Sequence, residues 1–306
     1  MKTKTLSRVI GIALLATMTS CGAKTYLITS GSENLRSLTK ITEGENPSTE
    51  PGGSVRSNTL FFVTKVNNEY NIYKKDNPVA PAQIQVTSGA SCLYPTYCEA
   101  TDRVAFARQV NDYYYDIYMM PAAKGNALIP VTETNRDSEF NPSFSPDGTY
   151  LAYQKGYTNT KDAEIWLKNL TTGENMLLGK GVTPSISPDG TKIAYSKYES
   201  GNSWNIWIMN VDGTNAQQLT VSKEECACYP KWSPNGKKIV FQSNKKKGNF
   251  DIFVMNANGT GLVQLTTNES DDLTPFWSHD GYIYIASDRG GKAGNYNIWR
   301  FFYLDD

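Results

Sequence analysis

Few residues of this 306-residue chain have types and spacings that indicate chemistry. The only histidine, His279, lies in a Ser-His-Asp-Gly sequence, in the place of a proline that three related segments carry, which predicts an exposed turn residue. The chain contains no Gly-x-Ser-x-Gly motif, the sequence that positions the nucleophile of α/β-hydrolases. We therefore predict no catalytic residues and a protein that is not an enzyme.

Five cysteines offer a second kind of chemistry. Cys21 follows an apolar stretch near the N-terminus, and the other four are Cys92, Cys98, Cys226 and Cys228. A Cys92–Cys98 disulfide is compatible with the sequence, whereas a Cys226–Cys228 disulfide would close a small, strained ring, and free buried thiols are the alternative. Because there is one histidine and no Cys-x-x-Cys pair, no metal site of the zinc type is predicted.

The first 20 residues have the pattern of a signal peptide. Three basic residues are followed by about ten mostly apolar ones, Val9 to Met18, too few to span a bilayer. The Met-Thr-Ser-Cys sequence that ends at Cys21 resembles the processing site of bacterial lipoproteins, which implies a lipid on Cys21 as a membrane anchor. The residues after Cys21 lack the acidic cluster that resembles a surface-export signal of lipoproteins. The expected location is therefore the periplasmic side of the outer membrane.

Charge excludes one class of partner. The formal net charge is zero, and it falls to about −3 without the three basic residues Lys2, Lys4 and Arg8 of the leader. A nucleic-acid-binding protein ordinarily carries a basic face, so nucleic acid is not expected as a partner.

The strongest signal is an internal repeat. Four segments read NPSFSPDG at 141–148, TPSISPDG at 183–190, YPKWSPNG at 229–236 and TPFWSHDG at 274–281, with weaker copies YPTYCEAT at 94–101 and NPSTEPGG at 46–53. The prolines at 47, 95, 142, 184, 230 and 275 are 48, 47, 42, 46 and 45 residues apart. That period is about the length of one four-stranded propeller blade.

Each copy continues in the same order. Ser-Pro-Asp-Gly predicts a hairpin turn, because proline presets φ and glycine takes positive φ at no steric cost. An apolar strand follows, and then a polar residue, isoleucine and an aromatic residue. These triplets are Asn71-Ile72-Tyr73, Asp116-Ile117-Tyr118, Glu164-Ile165-Trp166, Asn205-Ile206-Trp207, Asp251-Ile252-Phe253 and Asn297-Ile298-Trp299. Nearly continuous apolar runs indicate sheets buried on both faces between neighbouring blades.

These sequences together are similar to the repeats of the TolB-like β-propeller family. The resemblance covers nearly all of the chain after the leader, and it implies an all-β, six-bladed propeller with blades starting near 46, 94, 141, 183, 229 and 274. The α/β domain that precedes the propeller in TolB is not matched. Propeller lyases of similar fold rely on several histidines and a metal, and one histidine cannot supply these.

The last copy has only three strands before the chain ends. Residues 35–39 read Leu-Arg-Ser-Leu-Thr and end like the fourth strands of other copies, so we predict that a strand at about 35–40 completes the last blade and closes the ring. This gives a leader at 1–20, a tether at 21–34 and a single propeller at 35–306. A linker in place of this strand is the alternative.

Two sets of loops are expected on one face of the propeller, around the mouth of its central channel. The acidic candidates for binding are Glu45, Asp137, Glu139, Glu225, Asp271 and Asp272. The aromatic candidates are Tyr114, Tyr157, Trp204 and Tyr296. Such a face suits a protein segment with basic residues, and its acidic mouth could take Ca²⁺, although no cofactor is required. Solvated loop charges without a function are the alternative.

The leading hypothesis is therefore a lipoprotein that binds an envelope protein or peptide segment as a scaffold. A glycan-binding lipoprotein, with Trp204 and the tyrosine loops stacking on sugar rings, is the second. A propeller lyase or hydrolase is the third.

Overall fold

The computed structural model describes residues 25–26, 35–43, 46–122, 127–134, 137–158, 160–199, 203–222, 225–244 and 248–303. The leader, Cys21 and Glu45 lie outside the described residues. Within those ranges the regular structure is β-strand, apart from a 3₁₀ turn at Glu99–Thr101. Among the described residues, no helix has the length and apolar character needed to cross a membrane.

Five antiparallel sheets of four strands form five blades, each built from consecutive strands. Blade 1 consists of β3 (Ser48–Gly52), β4 (Leu60–Val66), β5 (Glu69–Lys75) and β6 (Ile84–Gln85). Blade 2 consists of β7 (Cys92–Cys98), β8 (Arg103–Gln109), β9 (Tyr115–Pro121) and β10 (Ile129–Pro130). Blade 3 consists of β11 (Glu139–Phe144), β12 (Tyr150–Lys155), β13 (Glu164–Asn169) and β14 (Asn175–Lys180). Blade 4 consists of β15 (Val182–Ile186), β16 (Lys192–Tyr198), β17 (Trp204–Asn210) and β18 (Gln217–Gln218). Blade 5 is β19 (Ala227–Trp232), β20 (Lys238–Ser243), β21 (Asp251–Asn256), β22 (Val263–Gln264).

Blade 6 joins the two ends of the described chain. Its strands are β23 (Asp272–Trp277), β24 (Tyr282–Ser287), β25 (Asn297–Tyr303), β2 (Leu35–Lys40) and β1 (Thr25–Tyr26). Strand β2 pairs antiparallel with β25, with Thr39 opposite Arg300 and Lys40 opposite Trp299. The six-bladed fold and its closure by an N-terminal strand are thus confirmed.

The threonine motif that follows the fourth strand of blade 6 lies at a different position from the one that the sequence predicted. In four other blades, a threonine hydroxyl accepts the backbone N–H of the triplet isoleucine, as Thr87 does for Ile72 at 2.9 Å. Thr42 makes this bond to Ile298 at 2.9 Å, three residues beyond Thr39. The repeat motif is therefore Ile41-Thr42 and not Leu38-Thr39, although β2 itself covers the predicted residues, Leu35–Lys40.

The first blade also has a shifted register. Every first strand contains a bulge at a residue with positive φ that directly precedes a proline, and in blade 1 this residue is Glu50, with φ 53°. Pro51, and not Pro47, therefore occupies the repeat position. The next residue, Gly52, must be glycine, because a Cβ there would lie 2.1 Å from the carbonyl oxygen of Pro95.

The turn motif is held by its own side chains. The Ser145 hydroxyl donates to Asp147 at 2.6 Å, and Asp147 accepts the N–H of Thr149 at 3.0 Å. The corresponding residues of the next two blades make the same contacts. The aspartate is a turn residue, and His279 is exposed in the corresponding turn of blade 6, as predicted.

The core consists of apolar clusters between adjacent blades. One cluster joins Ile252 and Val254 of β21 to Trp277 and Phe301 of blade 6, and it includes Leu38 of β2. Burial of both faces of each sheet explains the unbroken apolar runs in the second strands, and it fixes the positions of the loops.

Candidate functional site

Chain direction divides the propeller loops between two faces. The turns between first and second strands, with those between third and fourth strands, form one face, called here the turn face. Loops between second and third strands, with those that join successive blades, form the opposite face, called here the mouth face. The six first strands contact each other in a closed ring around a central channel.

Two rings of side chains from the first strands line this channel. The ring on the mouth side consists of residues that directly precede a repeat proline: Glu50, Tyr94, Asn141, Tyr229 and Thr274. The ring on the turn side is the residue after it: Gly52, Thr96, Ser143, Ser185, Lys231 and Phe276, which line a cavity of about 90 Å³. Neither ring was predicted from the sequence, although the positions beside the repeat prolines could have identified both.

A tyrosine pair narrows the channel. Tyr94 and Tyr229 belong to blades 2 and 5, which stand opposite each other in a six-membered ring, and their rings stack with centroids 6.5 Å apart. The contact therefore spans the channel axis. A segment entering from the mouth face would meet this pair before it reached the cavity on the turn side.

Two ionisable side chains lie in the channel wall. Burial raises the pKa of Glu50 to about 7, although its carboxylate accepts the N–H of Tyr94 at 2.6 Å, which favours the charged form. Burial lowers the pKa of Lys231 to about 8. Among the described residues, the Lys231 ammonium has no hydrogen-bond or ion-pair partner, so it is available to a ligand in the channel.

Aromatic rings connect the mouth face to the channel. Tyr113 is exposed, at 73%, and its carbonyl accepts a hydrogen bond from the Tyr157 hydroxyl at 2.8 Å. Tyr157 packs on Phe140 with centroids 5.5 Å apart, and Phe140 packs edge-on against Tyr94 at 6.0 Å. We call Tyr113, Tyr157, Phe140 and Tyr94 the aromatic track. It is a chain of contacts that runs from exposed Tyr113 to the tyrosine pair, and Phe140 within it is buried.

The predicted acidic residues do not form one charged rim. Glu139 and Asp272 are completely buried, whereas Asp137 is half exposed and forms an ion pair with Lys155 at 3.0 Å. Asp271 accepts the N–H of Phe250 at 2.9 Å, and Glu225 is partly exposed. No three His, Cys, Asp or Glu side chains in the described ranges come together as metal ligands, so calcium at the mouth stays a prediction.

The two buried carboxylates have structural roles, because each bonds side chains of neighbouring strands and loops. Glu139 accepts hydrogen bonds from the hydroxyls of Thr132 and Thr134, and Thr134 also donates to Asp116. Burial, then hydrogen bonding with Asp116, raises the pKa of Glu139 to about 8. Asp272 bonds the guanidinium of Arg289. These groups are placed between strands, because the residue that opens a first strand points into the blade interface.

The remaining aromatic candidates lie on the mouth face in separate places. Tyr114 is half-buried beside Tyr113, with centroids 6.4 Å apart. Trp204 packs edge-on against Tyr198 at 5.5 Å, and the hydroxyl of Tyr296 lies 3.4 Å from a carboxylate oxygen of Asp271. Of the four aromatic residues predicted, only Tyr157 belongs to the aromatic track.

Known structures share this fold at low sequence identity. A structure from Agrobacterium tumefaciens provisionally named TolB is 20% identical, with a TM-score of 0.64 over 86% of this chain and 93% of that one. TolB from Acinetobacter baumannii is 19% identical, with a TM-score of 0.65 over 81% of this chain and 64% of that one. Oligogalacturonate lyase from Vibrio parahaemolyticus is 11% identical, with a TM-score of 0.61 over 92% and 96%. These similarities establish the fold alone, since TolB structures and a lyase share it.

No curated protein sequence matches the chain. The family model described as the TolB beta propeller domain matches residues 101–245 and 168–299, which together cover well over half of the sequence. Both matched ranges carry copies of the Ser-Pro-Asp-Gly turn and of the Ile-aromatic motif, whose structural roles are described above. The chain belongs to the TolB beta propeller domain family.

Proposed function

We propose that this chain is a non-enzymatic envelope lipoprotein that binds a protein segment on the mouth face of its propeller. The observation that carries the proposal is the aromatic track, which leads from exposed Tyr113 to the tyrosine pair in the channel. Tyrosine and tryptophan are the side chains most enriched among residues that dominate binding energy at protein interfaces.

The tyrosine pair limits how a partner binds. Because Tyr94 and Tyr229 stack across the channel, the partner occupies the mouth face and the entrance above the pair, without threading the ring. The half-buried Glu225 and Asp271 carboxylates near the entrance favour basic residues in the bound segment.

We propose that the protein is anchored to the membrane, on the basis of the leader sequence and Cys21. A lipid on Cys21 would hold the propeller at the outer membrane, facing the periplasm, with 13 residues between Cys21 and the start of β2 at Leu35. Cys21→Ser should move the protein from the membrane fraction to the soluble fraction, as measured by fractionation and immunoblotting. Cys92→Ser is the control, and retention of Cys21→Ser in the membrane would contradict the anchor.

The binding surface is tested by crosslinking in cells. A photo-crosslinking residue at position 113 should give a discrete product with one envelope protein, identified by mass spectrometry and then bound again in purified form. The double variant Tyr113→Ala/Tyr157→Ala should weaken that binding at least tenfold. Tyr150→Ala is the matched control, because Tyr150 is 37% exposed and begins β12 at the turn face.

The same assays separate the alternatives. Equal affinity of the double variant and the control would place the partner elsewhere and contradict the proposal. Trp204 packed against Tyr198 is the observation that favours sugar binding, so glycan affinity lost in Trp204→Ala, without any protein partner, would support the lectin. Turnover of a polysaccharide by the purified protein that disappears in Lys231→Met would make it an enzyme.

A further inference from the structure

Two cysteine thiols meet at the junction between blades 4 and 5. The sulfur atoms of Cys226 and Cys228 lie 3.0 Å apart, and both residues are unbridged. Cys92 and Cys98 stand at opposite ends of β7 and pack in different core clusters, so they cannot pair without refolding of the strand. The structure thus brings together the pair that the sequence made the less favoured one.

The backbone around these two thiols departs from a regular strand. In a flat strand, alternate side chains are separated by roughly 6–7 Å. Cys226 lies just before β19, where its N–H donates to the side chain of Asn244 at 2.7 Å and it bridges Trp204 of blade 4. Cys228 lies within β19 next to Tyr229, which has positive φ (56°) at the bulge. The bridge to Trp204 on one side and the bulge on the other flank the two thiols.

The two thiols differ in exposure and acidity. Cys226 is partly exposed, and the hydrogen bond from Cys228 lowers the pKa of its thiol. Cys228 is buried, and its bond to Cys226 together with burial raises its pKa. A thiolate is the attacking species in disulfide exchange, so Cys226 is suited to attack and Cys228 to complete the reaction.

We propose that Cys226 and Cys228 form a redox-active dithiol that exchanges with disulfide substrates at the mouth face. The Cys226 thiolate attacks one sulfur of the substrate disulfide, forms a mixed disulfide and releases one substrate thiol. Cys228 then loses its proton and attacks the Cys226 sulfur, which releases the second substrate thiol. The protein is oxidised by two electrons to the Cys226–Cys228 disulfide, and the substrate disulfide is reduced to two thiols.

The small ring explains why this bond would be reversible. Only Ala227 separates the two cysteines, so a disulfide between them is strained, and strained or exposed disulfides are the readily reduced ones. Its formation would act on neighbouring loops, because Cys226 bridges Trp204 and the adjacent Glu225 carbonyl accepts the Trp204 N–H at 3.2 Å. The proposal does not depend on a protein partner.

The test uses oxidised and reduced glutathione as the probe, with the full chain as produced. After incubation and alkylation, mass spectrometry should show that the peptide spanning Cys226 and Cys228 is lighter by the mass of two hydrogens in oxidising mixtures. In reducing mixtures both cysteines of the same peptide should be alkylated. Cys92 and Cys98 should stay reduced throughout, because both are buried. Cys228→Ser should accumulate a glutathione adduct at Cys226, about tenfold faster than Cys226→Ser forms one at Cys228.

Three results would overturn the proposal. They are thiols that stay unlinked at every glutathione ratio, a disulfide that survives excess dithiothreitol, and equal rates of adduct formation in the two serine variants. Circular dichroism melting of both variants, with Cys92→Ser/Cys98→Ser as the matched control, separates loss of reactivity from loss of fold. The mouth-face crosslink at position 113 is measured independently, so either proposal can fail alone.

Discussion

At the scale of single residues, Glu139 and Asp137 of blade 3 have different surroundings. Glu139 and Asp137 are both acidic and stand two residues apart, yet one is completely buried and the other is half exposed. The difference arises because Glu139 opens β11, whose side chains enter the blade interface, whereas Asp137 belongs to the loop. A buried carboxyl group stays protonated to a higher pH than a solvated one.

Glu139 should make stability depend on pH. The pKa of Glu139 is raised from 4.5 to about 8, so between these pH values the folded state binds a proton that the unfolded state has released. The free energy of unfolding should therefore fall as pH rises from 5 to 8. Glu139→Gln keeps the hydrogen-bond acceptor for both threonines and should remove about 3.5 kcal/mol of that fall, measured by urea unfolding at each pH.

Asp137→Asn is the control for this pH dependence. Asp137 is exposed and paired with a surface lysine, so its replacement should leave the slope between pH 5 and 8 unchanged. A slope in Glu139→Gln equal to that of the unmodified protein would show that Glu139 is ionised in the folded state.

At the scale of elements, each short fourth strand is fixed by one threonine. In blades 1, 2, 4, 5 and 6 a threonine hydroxyl accepts the N–H of the triplet isoleucine, and three of these hydroxyls also donate to the polar residue before it. The polar residue of the triplet is thus a partner of the fourth strand. Blade 3 has a longer strand, β14, with six residues, which supplies backbone pairing instead.

Thr42→Val should loosen the last blade. It removes the acceptor of the Ile298 N–H and the donor to Asn297 at 3.2 Å, and both groups are buried. Loss of about 1–3 kcal/mol in the free energy of unfolding is expected, because buried partners are left unsatisfied. Chemical denaturation measures this loss.

Thr39→Val is the matched substitution, since Thr39 lies in the same strand and pairs with Arg300 through the backbone. It should change stability by less than about 0.5 kcal/mol. A larger loss for Thr39→Val than for Thr42→Val would restore the motif position that the sequence repeat suggested.

At the scale of the whole molecule, stability depends on closing the ring. Blade 6 takes β25 from the end of the described chain and β2 from its beginning, and Leu38 is 2% exposed in the cluster that joins blades 5 and 6. Without β2, the edge of β25 would have unpaired backbone groups, and its neighbouring core would face solvent.

Removal of residues 21–42 should therefore lower the melting temperature, whereas removal of 21–34 should preserve most of it. Leu38→Ala tests the same contact without deletion and should cost about 2–4 kcal/mol, because it leaves a cavity in a packed core. For a protein of this size each kcal/mol corresponds to about 2–4 °C, so scanning calorimetry resolves these effects. Equal melting temperatures for the two deletions would contradict closure by β2.

The sequence by itself determined the architecture. Hairpin turns, apolar strands and Ile-aromatic triplets are local patterns, and six copies of one four-stranded unit bury their faces by stacking on each other, here in a closed ring. The missing strand of the last copy likewise pointed to the N-terminal segment that β2 occupies.

Tertiary structure decided the rest. Whether an acidic residue lines the mouth or supports a blade depends on its strand register, and a bulge shifts that register, as it does at Glu50. The stacking of Tyr94 on Tyr229 joins blades on opposite sides of the ring, and the contact of Cys226 with Cys228 lies beside the bulge of β19. Spacing along the chain encodes neither distance, because both are set by how the blades pack around the channel.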